Sequence, residues 1–113
     1  MTTTLGEYVQ LEQEQLAPAT VGRVEAAPAQ FIGFADFTAQ GKFIKPLTTP
    51  PGIVGPGSQV MVSITEIDGS NTPFMGNAFM QVFNIVPQSN LIRVACQLFW
   101  GDPLRVRLNV VIF

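Results

Sequence analysis

From Phe31 onward, hydrophobic and polar positions alternate with a period of two, the pattern of strands that bury one face. The last two stretches are the clearest. Ile92, Val94, Cys96, Leu98 and Trp100 fall on one side of a strand and Arg93, Ala95 and Gln97 on the other. After a Gly101-Asp102-Pro103 turn, Leu104, Val106, Leu108, Val110 and Ile112 alternate with Arg105, Arg107 and Asn109. Earlier, Phe31, Gly33, Ala35 and Phe37 share a face against Ile32, Phe34 and Asp36. Gly41 then breaks the run, and Phe43 to Lys45 form a short return strand. Leu47 to Gly57, rich in Pro and Gly, reads as a loop. A strand follows from about Gln59 to Ile67, then an Asp68-Gly69-Ser70-Asn71 turn. Another strand runs from Ala78 to Val86, with Phe79, Gln81, Phe83 and Ile85 on the presumed core side and Met80, Val82 and Asn84 opposite; Pro87 to Asn90 is the next turn. Short alternating strands joined by Gly/Pro turns predict an all-β fold, a small antiparallel β-sandwich or barrel of about five to seven strands.

Residues 1–30 differ, and divide the chain into an N-terminal arm with an Ala/Pro connector (1–30) and a β-sandwich domain (31–113). Thr4-Leu5-Gly6-Glu7 fits a capping box, and Leu5, Tyr8, Val9 and Leu16 then share one helical face. Val9 and Leu11 also alternate with Gln10 and Glu12, as in a strand. A short helix is the expectation and a strand the alternative. Ala17 to Gln30, with Pro18 and Pro28, reads as an extended connector. Such a polar, Ala/Pro-rich segment buries too little of itself to offset its ordering entropy. Its apolar anchors Leu5, Tyr8, Val9, Leu11 and Leu16 are therefore expected to dock on a neighbouring subunit.

Composition sharpens this picture. Charged residues are 12% of the 113, hydrophobic residues 47%, and the mean hydropathy is +0.31; an average soluble protein is about 25% charged. A small domain has much surface to keep wet, so covering of that surface by other subunits is the expected resolution, and a monomer with an uncharged polar surface the alternative. The net charge of −2, without a basic cluster, argues against nucleic acid and against an anionic membrane surface as partners. No stretch approaches the roughly 18 apolar residues of a membrane span. Met1-Thr2-Thr3-Thr4 lacks a basic n-region, and Glu7, Glu12 and Glu14 interrupt any apolar run. Synthesis in the cytoplasm is therefore expected.

The chemistry-bearing residues are few. There is no histidine, which removes the usual triads, the usual neutral-pH base and imidazole metal ligands. The single Cys96 lies on an apolar strand face and reads as core packing. Of the carboxylates, Asp36, Glu66, Asp68 and Asp102 are the candidates for paired acid chemistry, but Asp68 and Asp102 sit in ordinary turn sequences. Glu66, Asp68, Ser70 and Asn71 gather oxygen atoms in one loop without EF-hand spacing. Gly52-Ile53-Val54-Gly55-Pro56-Gly57 lacks the Lys-Ser/Thr ending of a phosphate loop. The expectation is a non-enzyme with no cofactor, no metal site and no catalytic residues.

Two features point to assembly. Met61, Met80 and Val82 fall opposite the presumed core positions, and strands apolar on both faces are normally covered on both. The last strand runs through Val111-Ile112-Phe113 without a charged gatekeeper. The contact residues expected from sequence are thus Leu5, Tyr8, Val9, Leu11, Leu16, Met61, Met80, Val82 and Phe113. The leading expectation is a structural subunit that self-assembles, with copies of itself and a larger shell or filament as partners. Architecturally, an arm plus a compact β-rich body resembles small capsid decoration (cement) proteins of viruses and bacteriophages, which implies a virion location. One alternative is an extracellular filament subunit that donates its arm or a strand. Another is a carbohydrate-binding β-sandwich using Trp100 beside Asp102 with Asn71 or Arg105, although Trp100 continues the buried face of its strand and is expected in the core.

Overall fold

The computed structural model describes residues 14–20, 22–27 and 30–113. It is all-β, two packed sheets with no helix among the described residues. The strands are β1 (Glu14–Gln15), β2 (Ala19–Thr20), β3 (Gly22–Ala27), β4 (Gln30–Ala39), β5 (Gly41–Thr48), β6 (Val60–Glu66), β7 (Phe79–Gln88), β8 (Leu91–Phe99) and β9 (Leu104–Ile112). One sheet has the order β1-β5-β8-β7, with β2 also on β5; the other has the order β3-β4-β9-β6. Every pairing is antiparallel except those of β1 and β2 with β5. The chain passes from one sheet to the other after β2, β4, β5, β6 and β8, while β3–β4 and β7–β8 pair within a sheet.

The core follows from alternation. Ile92, Val94, Cys96 and Leu98 of β8 are buried, as are Val106, Leu108, Val110 and Ile112 of β9. Both strands are central in their sheets, so these rows meet in the middle of the sandwich. Phe31, Ala35 and Phe37 on β4 and Phe43 and Leu47 on β5 complete the cluster. The Phe37 and Phe43 rings meet edge to face, with centroids 5.7 Å apart. At one end, loop 49–59 is tied to the β7–β8 hairpin through Asn90, whose φ of 60° suits the left-handed conformation that Asn tolerates. Its amide donates to the Val54 carbonyl at 3.0 Å, its side-chain oxygen accepts from the Gly52 amide at 3.0 Å, and its carbonyl accepts from the Thr49 amide at 3.2 Å.

Three expectations about the fold need correction. The segment 17–30, expected as a connector, contains β2 and β3, which extend both sheets: Gly22 to Ala27 pair with β4 from Phe34 to Gln30. The unpaired edges of β4 and β5 offer backbone partners to an extended segment running past them. The pairing of β3 with β4 runs up to residue 30. The helix expected from Thr4 lies outside the described residues except at its end, where Glu14–Gln15 form β1. The return strand expected over Phe43–Lys45 runs from Gly41 to Thr48 and includes Pro46.

The strand β5 explains how the segment before β3 is held. Glu14 and Gln15 pair with Phe43 and Ile44, and Ala19 and Thr20 pair with Leu47 and Thr48. The ladder is interrupted opposite Lys45 and Pro46, where Pro46 has no N–H to offer. Lys45 bridges the gap. It shares the inward face of β5 with Phe43 and Leu47, is buried, and donates from Nζ to the Ala17 carbonyl at 2.7 Å, with its ammonium 4.5 Å from the centre of the Phe37 ring. Burial holds this ammonium below the ordinary lysine pKa. The folded chain therefore releases the proton at lower pH than the unfolded chain does, and stability rises with pH between those two values. Leu16, between the two short pairings, packs against the core and donates its amide to the Ile44 carbonyl at 3.0 Å.

A Lys45→Met change keeps the apolar stem and removes the bond to Ala17. Hydrogen exchange at the Leu16 amide is expected to quicken by about tenfold, the loss of roughly one hydrogen bond to a charged donor. Amides of β8 and β9 should keep their protection. Unchanged exchange at Leu16 would show that Lys45 does not hold this segment.

Candidate interaction surface

The outer faces of the two sheets have opposite characters. On the β4-β9-β6 sheet, Asp36, Arg107 and Thr65 lie in one cross-strand row and Phe34, Asn109 and Ser63 in the next. Arg107 donates from Nε to Asp36 Oδ1 at 2.7 Å and from a terminal nitrogen to Oδ2 at 3.0 Å, while its guanidinium lies 4.6 Å from the centre of the Phe34 ring. The carboxylate in turn raises the pKa of Arg107, chiefly by accepting its hydrogen bonds. Asn109 donates to Ser63 Oγ and Thr65 Oγ1, both at 3.1 Å. Arg107 also donates to the Asn71 carbonyl at 3.1 Å, and Arg105 donates to the Asn71 side-chain oxygen, which fixes the turn after β6 where Asn71 takes a φ of 61°.

The candidate acids are tied into this structure. Asp36 is held by Arg107. Asp68 Oδ1 accepts from the Thr72 amide at 2.9 Å and the Ser70 amide at 2.8 Å, bonds that pull its pKa below the usual aspartate value. Asp68 thus closes its own turn, and the Asn71 side chain in the same loop is taken up by Arg105. The Glu66 carboxylate lies against Gly76. Asp102 is exposed in the β8–β9 turn. Cys96 is fully buried, and burial pushes its thiol up to about 12, which removes the thiolate needed for reactivity.

The outer face of β7 and β8 carries large apolar side chains around Gln81 and Gln97. Here the sequence reading had the sides of β7 reversed. Met80 and Val82, expected outside, pack against the core, while Phe79 is 80% exposed and Phe83 is exposed beside it. The cause is a β-bulge: Val82 is opposite Cys96 and Asn84 opposite Ala95, so Phe83 is an extra residue. One inserted residue returns Ile85 to the core face shared by Met80 and Val82. Read as one unbroken alternation, Ile85 had been grouped with Phe79, Gln81 and Phe83. Trp100 also departs from expectation. β8 ends at Phe99, the alternation stops there, and Trp100 is 46% exposed.

Phe79 pairs with Phe99, and Gln81 with Gln97. Because β7 begins and β8 ends at the same end of the sandwich, Phe79, Phe99 and Trp100 gather there with the loop that leads into β7. In that loop Met75 is 97% exposed and Phe74 half so. Phe74 and Met75, with Ile64, Met80, Pro73 and Glu66, line an open groove of about 390 Å³ between the edge strands β6 and β7. With roughly 200 Å² for each large side chain, Phe79, Phe83, Phe99 and Trp100 expose about 430 Å² of apolar surface on and beside this face, and Phe74 and Met75 about 290 Å² more at the groove. The largest patch on a typical monomer is about 300–600 Å².

The other expected contact residues are dispersed. Met61 is 62% exposed on the outer face of β6, and Phe113 is 52% exposed beyond β9, both at the opposite end from Phe79. Leu16 packs on its own domain. Leu5, Tyr8, Val9 and Leu11 lie outside the described residues. The exposed residues Phe79, Phe83, Phe99 and Trp100 were not among those expected outside. The absence of any charge over the ten residues of β7, an edge strand, was the signal that marked them. No protein-family model, curated protein or solved structure matches the chain.

Replacing Asp36 by Asn, or Arg107 by Gln, is expected to cost about 1–2 kcal/mol each in denaturant unfolding, since each change removes the charge-assisted two-pronged bond between them. The double change should cost clearly less than the two together. Strict additivity would show that the pair contributes nothing as a pair.

Proposed function

We propose that this chain is a non-enzymatic structural subunit that works by association with copies of itself, and that the surface around Phe79, Phe99 and Trp100 is its principal contact. The observation that carries this reading is the size and place of the apolar patch. It lies on rigid strands and an anchored loop, in a chain with few charges to offset it, and nothing within the described residues covers it. A particle subunit of a virus or bacteriophage, of the capsid decoration kind, is the form of this proposal that fits the low charge and compact β body. A filament subunit uses the same kind of surface in an open rather than a closed arrangement.

The exposure of Trp100 favours a second reading, a carbohydrate-binding module. Trp100 stands near Asp102, and Gln81 and Gln97 lie beside the aromatic row, so aromatic faces and amides are presented together as sugar sites require.

Native mass spectrometry with light scattering across a concentration series separates the two. The structural-subunit reading predicts a species at a multiple of 12.3 kDa, reverting to one chain when Phe79 and Phe99 are both changed to Ser. A mass of one chain at every concentration, together with retention on polysaccharide that Trp100→Ala abolishes, would reverse the choice.

A further inference from the structure

We infer that the outer face of β7 and β8 is a two-fold, self-complementary interface whose centre is the Gln81–Gln97 pair, and that its occupant is the same face of a second copy. This deepens the proposed function and rests on it.

The chemistry of the face selects the partner. Gln81 lies between the inward-facing Met80 and Val82, and Gln97 between the inward-facing Cys96 and Leu98, so both amides point outward from neighbouring strands. Neither side chain has a hydrogen-bond partner among the described residues. Phe79 and Phe99 flank the pair on one side, and the exposed Phe83 of the bulge follows on the other, before Asn84 and the buried Ala95 opposite it. The centre of the face is thus two free amides set among apolar side chains. An amide carries both donors and acceptors. It pairs with a copy of itself, which a carboxylate or an ammonium at the same place does not do. A partner selected by charge would call for charge at the centre, and β7 has none over its ten residues.

The charges stand at the margins instead. Lys42 is next to Gln97 on the side away from β7, Arg93 lies toward the other end of β8 with its guanidinium directed at Gln15, and Asp102 is in the turn beyond Trp100. An apolar centre with a polar rim is the usual anatomy of a protein interface. Phe79, Phe83, Phe99 and Trp100 present about 430 Å² of apolar surface, and the amides and polar rim around them add to it toward the roughly 800 Å² per partner of a standard interface. A two-fold axis brings each patch onto itself, the commonest arrangement among homo-oligomers. It also suits β7: the bulge at Phe83 and Pro87 near its end blunt this edge against open-ended strand addition, leaving the face rather than the edge as the contact.

The test is the mass of the full chain carrying Gln81→Glu, an exposed and nearly isosteric change, with Gln97→Glu as the second variant and near-ultraviolet circular dichroism as the check on folding. At neutral pH either variant is expected to weaken association by at least about tenfold, because like charges meet at the axis. Lowering the pH until the new carboxyl is protonated should restore it. Mixing Gln81→Glu with Gln81→Lys chains at neutral pH should also restore it, as a hetero-pair. If the unmodified chain associates and both glutamate variants associate as tightly, the inference fails while the subunit reading stands on another surface. If the mixture stays dissociated, the two-fold arrangement fails. If the unmodified chain is a single chain at every concentration, both fail.

Discussion

The two facing apolar rows of β8 and β9 are the constraint on which the rest of the structure depends. Ile92, Val94, Cys96 and Leu98 meet Val106, Leu108, Val110 and Ile112, all fully or almost fully buried. Each row belongs to a strand central in its sheet, so the other strands inherit their faces from these two by register. Phe31, Ala35 and Phe37 are inward because β4 pairs with β9 from Phe31–Ile112 to Ala39–Leu104. Phe43, Lys45 and Leu47 are inward because β5 pairs with β8 opposite Cys96, Val94 and Ile92. A one-residue slip in either central strand would turn its whole apolar set to solvent. Register is accordingly the strongest specification in the molecule, and it places even a lysine on the inner face of β5, where a backbone carbonyl and an aromatic ring receive it.

The same register leaves two unequal outer surfaces. The β4-β9-β6 sheet places Asp36, Arg107, Asn109, Ser63 and Thr65 side by side, and they bond among themselves. The chain has only 6 basic and 8 acidic residues, and this network takes several of the groups that would keep a surface wet. The outer face of β7 and β8 receives Phe79, Phe83 and Phe99 instead. A domain of this size cannot hide them inside without overfilling its core. Covering of this face by a second copy is what the proposal supplies.

The parts of this that sequence revealed are those set by simple alternation. The faces of β4, β8 and β9, the burial of Cys96 and the all-β sandwich were legible because nothing interrupts the period of two there. The contact surface was legible only as a tendency toward low charge and excess apolarity, and its residues were misplaced for local reasons. The bulge at Phe83 leaves no mark in Phe79-Met80-Gln81-Val82-Phe83-Asn84-Ile85, a run apolar on both sides that supports either facing. Trp100 continues the alternation of β8 by one position, but the strand has ended, and only the turn that follows shows it. The pairing of Glu14–Gln15 and Ala19–Thr20 with β5 is accompanied by the bond from Lys45 to Ala17, a contact between residues 28 apart in sequence that local patterns do not carry.

The one tryptophan of the chain stands at the edge of the proposed contact and reports on it directly. Its fluorescence emission, followed together with mass over a dilution series, tests the claim that this surface is covered by a second copy. The account predicts that as the assembled mass appears, the emission of Trp100 shifts to the blue and quenching by acrylamide falls in step. An assembly that forms while Trp100 keeps the emission and quenching of the dilute chain would contradict it, since the apolar end of the sandwich would then remain in water.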